Sequence, residues 1–211
     1  MVRIRLFCLL LCFIVLMWGC MSKSDQELFY DAQKQLNKIE SYRCEVEITS
    51  IGNKGPQRYV MKQWFKKPDK YKLEVMLPDN LKGQITISDG KKAWIYHPGI
   101  EQTWIMQSFV HSEEQNMFLG YFIKNCLDSE GVGLGKKTIE GEDYLIITTD
   151  IPGNHVYYHK EILYIHIKTM VPYLLQVYDV KDQLRIEVKY KAFEYNTQLE
   201  DEIFRIDNER S

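Results

Sequence analysis

Few side chains in this sequence are spaced for bond-making chemistry. His155 and His159 stand four apart, which on a helix would put two imidazoles on one face. Pro152-Gly153-Asn154 before them and Val156-Tyr157-Tyr158 between them read instead as loop and strand. At about 3.3 Å per strand residue the two rings are too far apart to share one small ion unaided. The run Gly131-Val132-Gly133-Leu134-Gly135-Lys136-Lys137 is one residue short of a phosphate loop, and Lys137 stands where a magnesium-binding Ser or Thr is needed. It reads as a flexible connection from a helix to a strand. No Gly-x-Ser-x-Gly occurs, and Cys44 and Cys126 lie in apolar periodic segments rather than on exposed turns. The acidic groups Glu113-Glu114 and Glu200-Asp201-Glu202 read as helix starts or polar turns. The expectation is a protein without metal, cofactor or catalytic group: a binding protein, not an enzyme.

What the chain does supply is apolar and aromatic surface. Trp64, Tyr71, Leu73, Trp94, Tyr96, Trp104, Phe118 and Phe122 are the candidate ligand-binding residues. They serve either as packing between a sheet and a helix or as the lining of a cavity for an acyl chain or a partner's hydrophobic segment. Lys66, Lys67, Lys70 and Lys72 cluster at one turn and Lys91-Lys92 at the next, where solvated tips and contacts to anionic lipid head groups are both open.

The elements that must position these residues are legible from periodicity. Ser24-Asp25-Gln26-Glu27 has the form of a capping box and opens a helix with Leu28, Ala32, Leu36 and Ile39 along one stripe. From Tyr42 the period changes to two. Tyr42, Cys44, Val46 and Ile48 alternate with polar residues, as do Tyr59, Met61, Gln63 and Phe65 against Val60, Lys62 and Trp64. Further strands follow at Tyr71–Leu77 and Ile85–Ile87, with Asp89-Gly90 as a tight-hairpin signal. Ser112-Glu113-Glu114-Gln115 predicts a second helix start, with Leu119, Phe122, Ile123 and Cys126 along its stripe. About four strands close the chain, through Tyr144–Thr149, Ile162–Ile167, Tyr173–Asp179 and Leu184–Tyr190. The pattern predicts an α+β, β-rich fold in which one antiparallel sheet twists and curls.

With 211 residues, 45% of them hydrophobic, the chain suits one domain. Arg3 and Arg5 precede an apolar run from Leu6 to Met17 and then Trp18-Gly19-Cys20, the order of an export signal. Twelve apolar residues fall short of the roughly twenty a spanning helix needs. Residues 1–19 are therefore read as a signal peptide, 20–24 as a lipidated tether beginning at Cys20, and 25–211 as the domain. Gly19-Cys20 resembles a bacterial lipobox, with Met17 and Trp18 departing from its usual leucine and small residue; a diacylglyceryl group on Cys20 would anchor the protein to the outer face of the membrane. Of five cysteines only Cys44 and Cys126 then remain in the domain, as one bridge or two core thiols. Without Arg3 and Arg5 the 27 basic residues fall to 25 against 29 acidic, a net charge of about −4 that gives no reason to expect nucleic acid.

Trp64-Phe65-Lys66-Lys67-Pro68, then Ser88-Asp89-Gly90 with Trp94, Tyr96, Pro98 and Gln102, resembles the bacterial outer-membrane lipoprotein carriers and receptors of the LolA and LolB group. Tyr195–Phe204 is similar to that group's closing segment. The resemblance implies an open, curved antiparallel half-barrel with helices packed on its concave side. Lys67 stands where the carrier has an arginine, a substitution that removes a planar multi-donor fork. Within the group, Ser41–Ile48, Ile151-Pro152-Gly153-Asn154, Tyr178-Asp179 and Lys189-Tyr190 are most similar to the clostridial germination lipoproteins called GerS. That closer resemblance implies a non-catalytic lipoprotein of the forespore or spore membrane that binds and activates a peptidoglycan amidase and forms homodimers by strand exchange. The alternative is a binder or carrier of acyl chains or lipoproteins.

Overall fold

The computed structural model describes residues 23–107, 113–129, 131–153 and 155–205. The chain begins with helix α1 (Asp25–Asn37) and continues through strands β1 (Ser41–Gly52), β2 (Gly55–Lys66), β3 (Lys70–Leu77), β4 (Ile85–Ser88), β5 (Ala93–His97) and β6 (Gln102–Met106). Helix α2 (Leu119–Asp128) follows, then β7 (Gly133–Ile139), β8 (Glu142–Asp150), β9 (Lys160–His166), β10 (Pro172–Tyr178) and β11 (Leu184–Tyr195). These strands form one antiparallel sheet in the order β6-β5-β4-β3-β2-β1-β11-β10-β9-β8-β7. Each strand pairs with its neighbours in sequence except β6 and β7, which lie at opposite edges, and at the centre the first strand meets the last. The sheet does not close, and it is the curved half-barrel anticipated from the sequence.

Period-two alternation decides the two faces. Tyr42, Cys44, Val46 and Ile48 of β1, Leu163 and Ile165 of β9, and Ile186, Val188 and Tyr190 of β11 are buried in one cluster with Leu28, Ala32 and Leu36 of α1 and Leu119 and Phe122 of α2. The helices therefore cover one face of the sheet. On the outer face, Trp64, Ile85, Ile87 and Trp94 pack against Leu199, Ile203 and Phe204 from the C-terminal segment.

The Ser24 capping box forms: Ser24 Oγ accepts from Glu27 N–H at 3.3 Å, and the Glu27 carboxylate accepts from Ser24 N–H at 2.8 Å. At the other end Lys67 Nζ donates to the Asn37 carbonyl at 3.2 Å, a cation set against the negative end of the helix.

Three local expectations are corrected. The second helix, expected from Ser112, which lies outside the described residues, becomes an α-helix only at Leu119. Glu113–Met117 is a 3-10 turn, and α2 starts at Leu119 after an extended Phe118 that offers no side-chain cap. The supposed flexible connection contains β7, so five strands follow α2 among the described residues instead of about four; β7 is an edge strand with mostly exposed side chains, which erases the alternation signal. Asp89-Gly90 does turn the chain, but inside a longer loop: only Gly90 has positive φ (90°), and Asp89 Oδ1 accepts from the N–H groups of Lys91 and Lys92 at 2.9 and 2.8 Å.

Candidate functional site

The eight predicted ligand-binding residues do not share one face. Cross-strand register places Gln63, Leu73, Thr86, Ile95 and Trp104 in one row on the helix-covered face, and Trp64, Lys72, Ile87, Trp94 and Ile105 in the adjacent row on the outer face. Tyr71, Leu73, Phe118 and Phe122 come together beneath α2, fully or almost fully buried, with the Tyr71 and Phe118 rings 4.3 Å apart. Trp64 and Trp94 lie on the other side under the C-terminal segment, with Lys72 Nζ 5.1 Å from the Trp64 ring. Tyr96 alternates with Trp94 onto that same outer face. Trp104 stands apart on the edge strand, half exposed. Cys20 lies outside the described residues.

The packing beneath α2 has polar fastenings. Phe118 provides no cap, so the sheet supplies one: the Tyr42 hydroxyl on β1 accepts from Leu119 N–H at 3.1 Å. Gln63 Nε2 on β2 donates to the Met117 carbonyl at 3.1 Å, and the Tyr190 hydroxyl on β11 donates to the same oxygen at 3.4 Å. Three central strands thus hold the helix start. A Cβ on Gly120 would lie 2.1 Å from the Phe65 ring, so the backbone of α2 approaches the sheet as closely as glycine permits.

The lysine cluster is used internally. Lys66 and Lys70 both pair with Asp201, at 2.8 and 3.1 Å, and Lys66 also donates to the Leu199 carbonyl at 2.9 Å. The hydrogen bonds from Lys66 and Lys70 hold the Asp201 carboxyl down at about 2. This clamp fixes the segment that covers Trp64 and Trp94.

Glu161 was not singled out in the sequence. It is fully buried on β9, with Asn125 Nδ2 donating to its Oε2 at 3.2 Å and Oε1 unpartnered. Burial raises its carboxyl to about 8, a rise the Asn125 hydrogen bond only partly offsets, so it holds a proton at neutral pH. Its signal was positional: Glu161 shares parity with the buried Leu163 and Ile165. Cys44 and Cys126 are both free thiols, and burial pushes the Cys126 thiol up to about 12, which leaves it a poor nucleophile. Among the described residues no group of three or more His, Cys, Asp or Glu side chains is placed to hold a metal ion.

Two surfaces stand out among the described residues. The first is β6, which with β7 forms the edges of the sheet: Trp104, Ile105 and Met106 are 48%, 53% and 42% exposed, and among the described residues one side of the strand has no neighbour in the sheet. The second is a cavity of about 520 Å³ between the polar side of α2 and the loop before β9, lined by Asn125, Asp128, His155 and Tyr158 among others. Among the described residues no helix is long and apolar enough to cross a membrane.

Comparison with known proteins agrees with this architecture. An uncharacterized conserved protein from Thermus thermophilus, 15% identical, superposes with a TM-score of 0.55 over 89% of this chain and 97% of its own, a likeness of fold. The structure of the CwlD amidase from Clostridioides difficile in complex with the GerS lipoprotein contains a chain 35% identical to this one, covering 83% of this chain and 98% of that one, with a TM-score of 0.49. Sporulation protein YdcC of Bacillus subtilis (strain 168) is 22% identical over 194 residues, 90% of this chain. The chain spans about half the length of the curated relatives it matches, 56% in the case of YdcC. A match to the family described as sporulation protein YdcC-like runs over residues 2–204, and the chain belongs to that family.

Proposed function

We propose that this protein is a non-catalytic binding module, tethered outside the cytoplasm through a lipidated Cys20, that docks and activates a cell-wall amidase by pairing along β6. The observation that carries the reading is the composition of that edge. An unpaired strand offers a row of backbone donors and acceptors to an incoming strand. Trp104 and Met106 on one face and Ile105 on the other supply apolar anchors of the kind that dominate binding energy. The core, by contrast, is occupied by its own side chains and held shut around α2. The resemblance of Ser41–Ile48 to germination lipoproteins, and membership of a sporulation family, support an amidase such as the CwlD of the GerS complex as the class of partner. Any zinc would then be the amidase's own. A homodimer formed by strand exchange would compete for the same edge.

The experiment is a binding and activity assay with the amidase from the same organism. Trp104→Ala and Ile105→Lys, both at exposed positions, should each weaken the complex by about tenfold or more without lowering the melting temperature. Unchanged affinity in both variants would remove β6 as the docking edge. The carrier reading has its own readout: acyl chains recovered by solvent extraction of the purified protein would shift the function to lipid or lipoprotein carriage.

A further inference from the structure

We infer that the cavity between α2 and the loop preceding β9 is a binding site for a short, uncharged oligosaccharide. The site shares no residue with β6, so it stands or falls independently of the docking edge. Its volume of about 520 Å³ lies in the range of small-ligand sites. The lining decides the class of ligand. Among the described residues, Asn116 and Asn125 contribute side-chain amides, Gln115 an amide already bonded to Tyr121, Asp69 and Asp128 carboxylates, and Lys124 a cation. An acyl chain entering here would strip water from these groups without replacing its hydrogen bonds, at a cost of about 1–3 kcal/mol for each one left unpaired. The carboxylates of Asp69 and Asp128 likewise oppose a phosphate or other anion. Planar amide and carboxylate groups instead match the hydroxyl and acetamido groups of a sugar, each of which needs both donors and acceptors.

The second component of a saccharide site is a flat aromatic surface for the C–H face of a pyranose ring. His155 offers one: its exposed imidazole stacks on the Tyr158 ring, with centroids 5.1 Å apart and planes inclined by 31°, so that Tyr158 backs it. Backbone hydrogen bonds tie the ends of the segment that carries them. Ile151 N–H donates to the His159 carbonyl at 2.8 Å, His159 N–H to the Tyr178 carbonyl at 2.8 Å, and Val180 N–H to the Val156 carbonyl at 3.2 Å.

Glu161 gives the cavity a third feature. Asn125 lines the cavity, and its Nδ2 is committed to the buried Glu161 carboxyl at 3.2 Å. That bond fixes the amide plane and leaves Asn125 Oδ1 as an acceptor for a ligand hydroxyl or amide. Glu161 acts here as a positioning residue, removed from contact with ligand by its burial.

The test is a titration of the purified full chain, followed by amide chemical shifts, with N,N′,N″-triacetylchitotriose and with maltotriose, which lacks the acetamido groups. The expected result is saturable binding of at least one trisaccharide, with dissociation constants on the order of 1 mM or tighter and shifts centred on 124–128 and 151–158. Tyr158→Ala, which removes the ring behind His155, should weaken that binding about tenfold, and His155→Ala, at an exposed position, should do the same without loss of thermal stability. Glu161→Gln, which keeps an acceptor for Asn125, should hold affinity within about twofold, whereas Glu161→Leu should lose about tenfold without loss of thermal stability. Absence of saturable shifts with both sugars at about 10 mM overturns the inference, as does binding indifferent to Tyr158→Ala. Retained affinity in Glu161→Leu removes the positioning role.

Discussion

The hydroxyl of Tyr42, in the first strand of the sheet, accepts a hydrogen bond from the backbone nitrogen of Leu119, the first residue of α2, across 77 positions of sequence. One side chain thus performs the work of a helix cap while its ring stacks in the core with Phe65 and Phe193, at 5.2 and 4.9 Å. Tyr42→Phe would keep the ring and strand the Leu119 donor in a buried site. A loss of about 1–3 kcal/mol is expected in chemical denaturation, with faster hydrogen exchange at Leu119 and Gly120.

Gly120→Ala puts a methyl group into the Phe65 ring, and the ring has no room to yield because Tyr42, Phe118 and Tyr121 surround it. Overpacking should cost about 1–3 kcal/mol or more. Phe65→Leu in the same chain should recover part of that loss, and a double-mutant cycle measures the coupling.

Glu161 makes stability depend on pH with a definite sign. Between its ordinary value of 4.5 and its folded value of about 8, the unfolded chain releases the proton while the folded chain keeps it. Stability should therefore fall as pH rises through that window and level off above about pH 8, with a full amplitude on the order of 4–5 kcal/mol. Glu161→Gln should flatten the slope and be more stable than the wild type at pH 8, as urea denaturation at pH 5, 7 and 9 will show.

Asp201 works in the opposite sense. Its carboxyl is held down at about 2 by Lys66 and Lys70, so its contribution is present above the usual carboxylate range and is lost as pH falls through about 2. Asp201→Asn should loosen the segment over Trp64 and Trp94, and the change should be visible as a red-shifted tryptophan emission at neutral pH. Emission identical to wild type would mean that Leu199, Ile203 and Phe204 hold the segment alone.

Much of the architecture was legible because burial leaves a mark on one face at a time. The alternation at Tyr42–Ile48 and the Leu28–Ala32–Leu36 stripe each named an element and its buried side. The marks fail where a strand has no buried face, as at β7, or where a cap comes from a distant strand, as Tyr42 does for Leu119. The candidate site fared differently, because alternation states which residues are neighbours only within one strand. Trp64 and Leu73 looked equivalent as apolar supply, yet the β2–β3 register sends them to opposite sides of the sheet. Glu161 was readable in principle from its parity with Leu163, but an acidic residue at a strand start is more often solvated, and the partner that makes burial tolerable, Asn125, lies 36 positions earlier.

The pairing of β1 with β11 also sets an order of assembly. Strands β1 to β6 and β7 to β10 each form runs of local hairpins that can zip as they emerge, but the seam between the two runs waits for the final strand. Leu184–Tyr195 is therefore a keystone. A chain cut before it would present two half-sheets with a raw central margin each, open to pairing with any other strand until the last segment arrives.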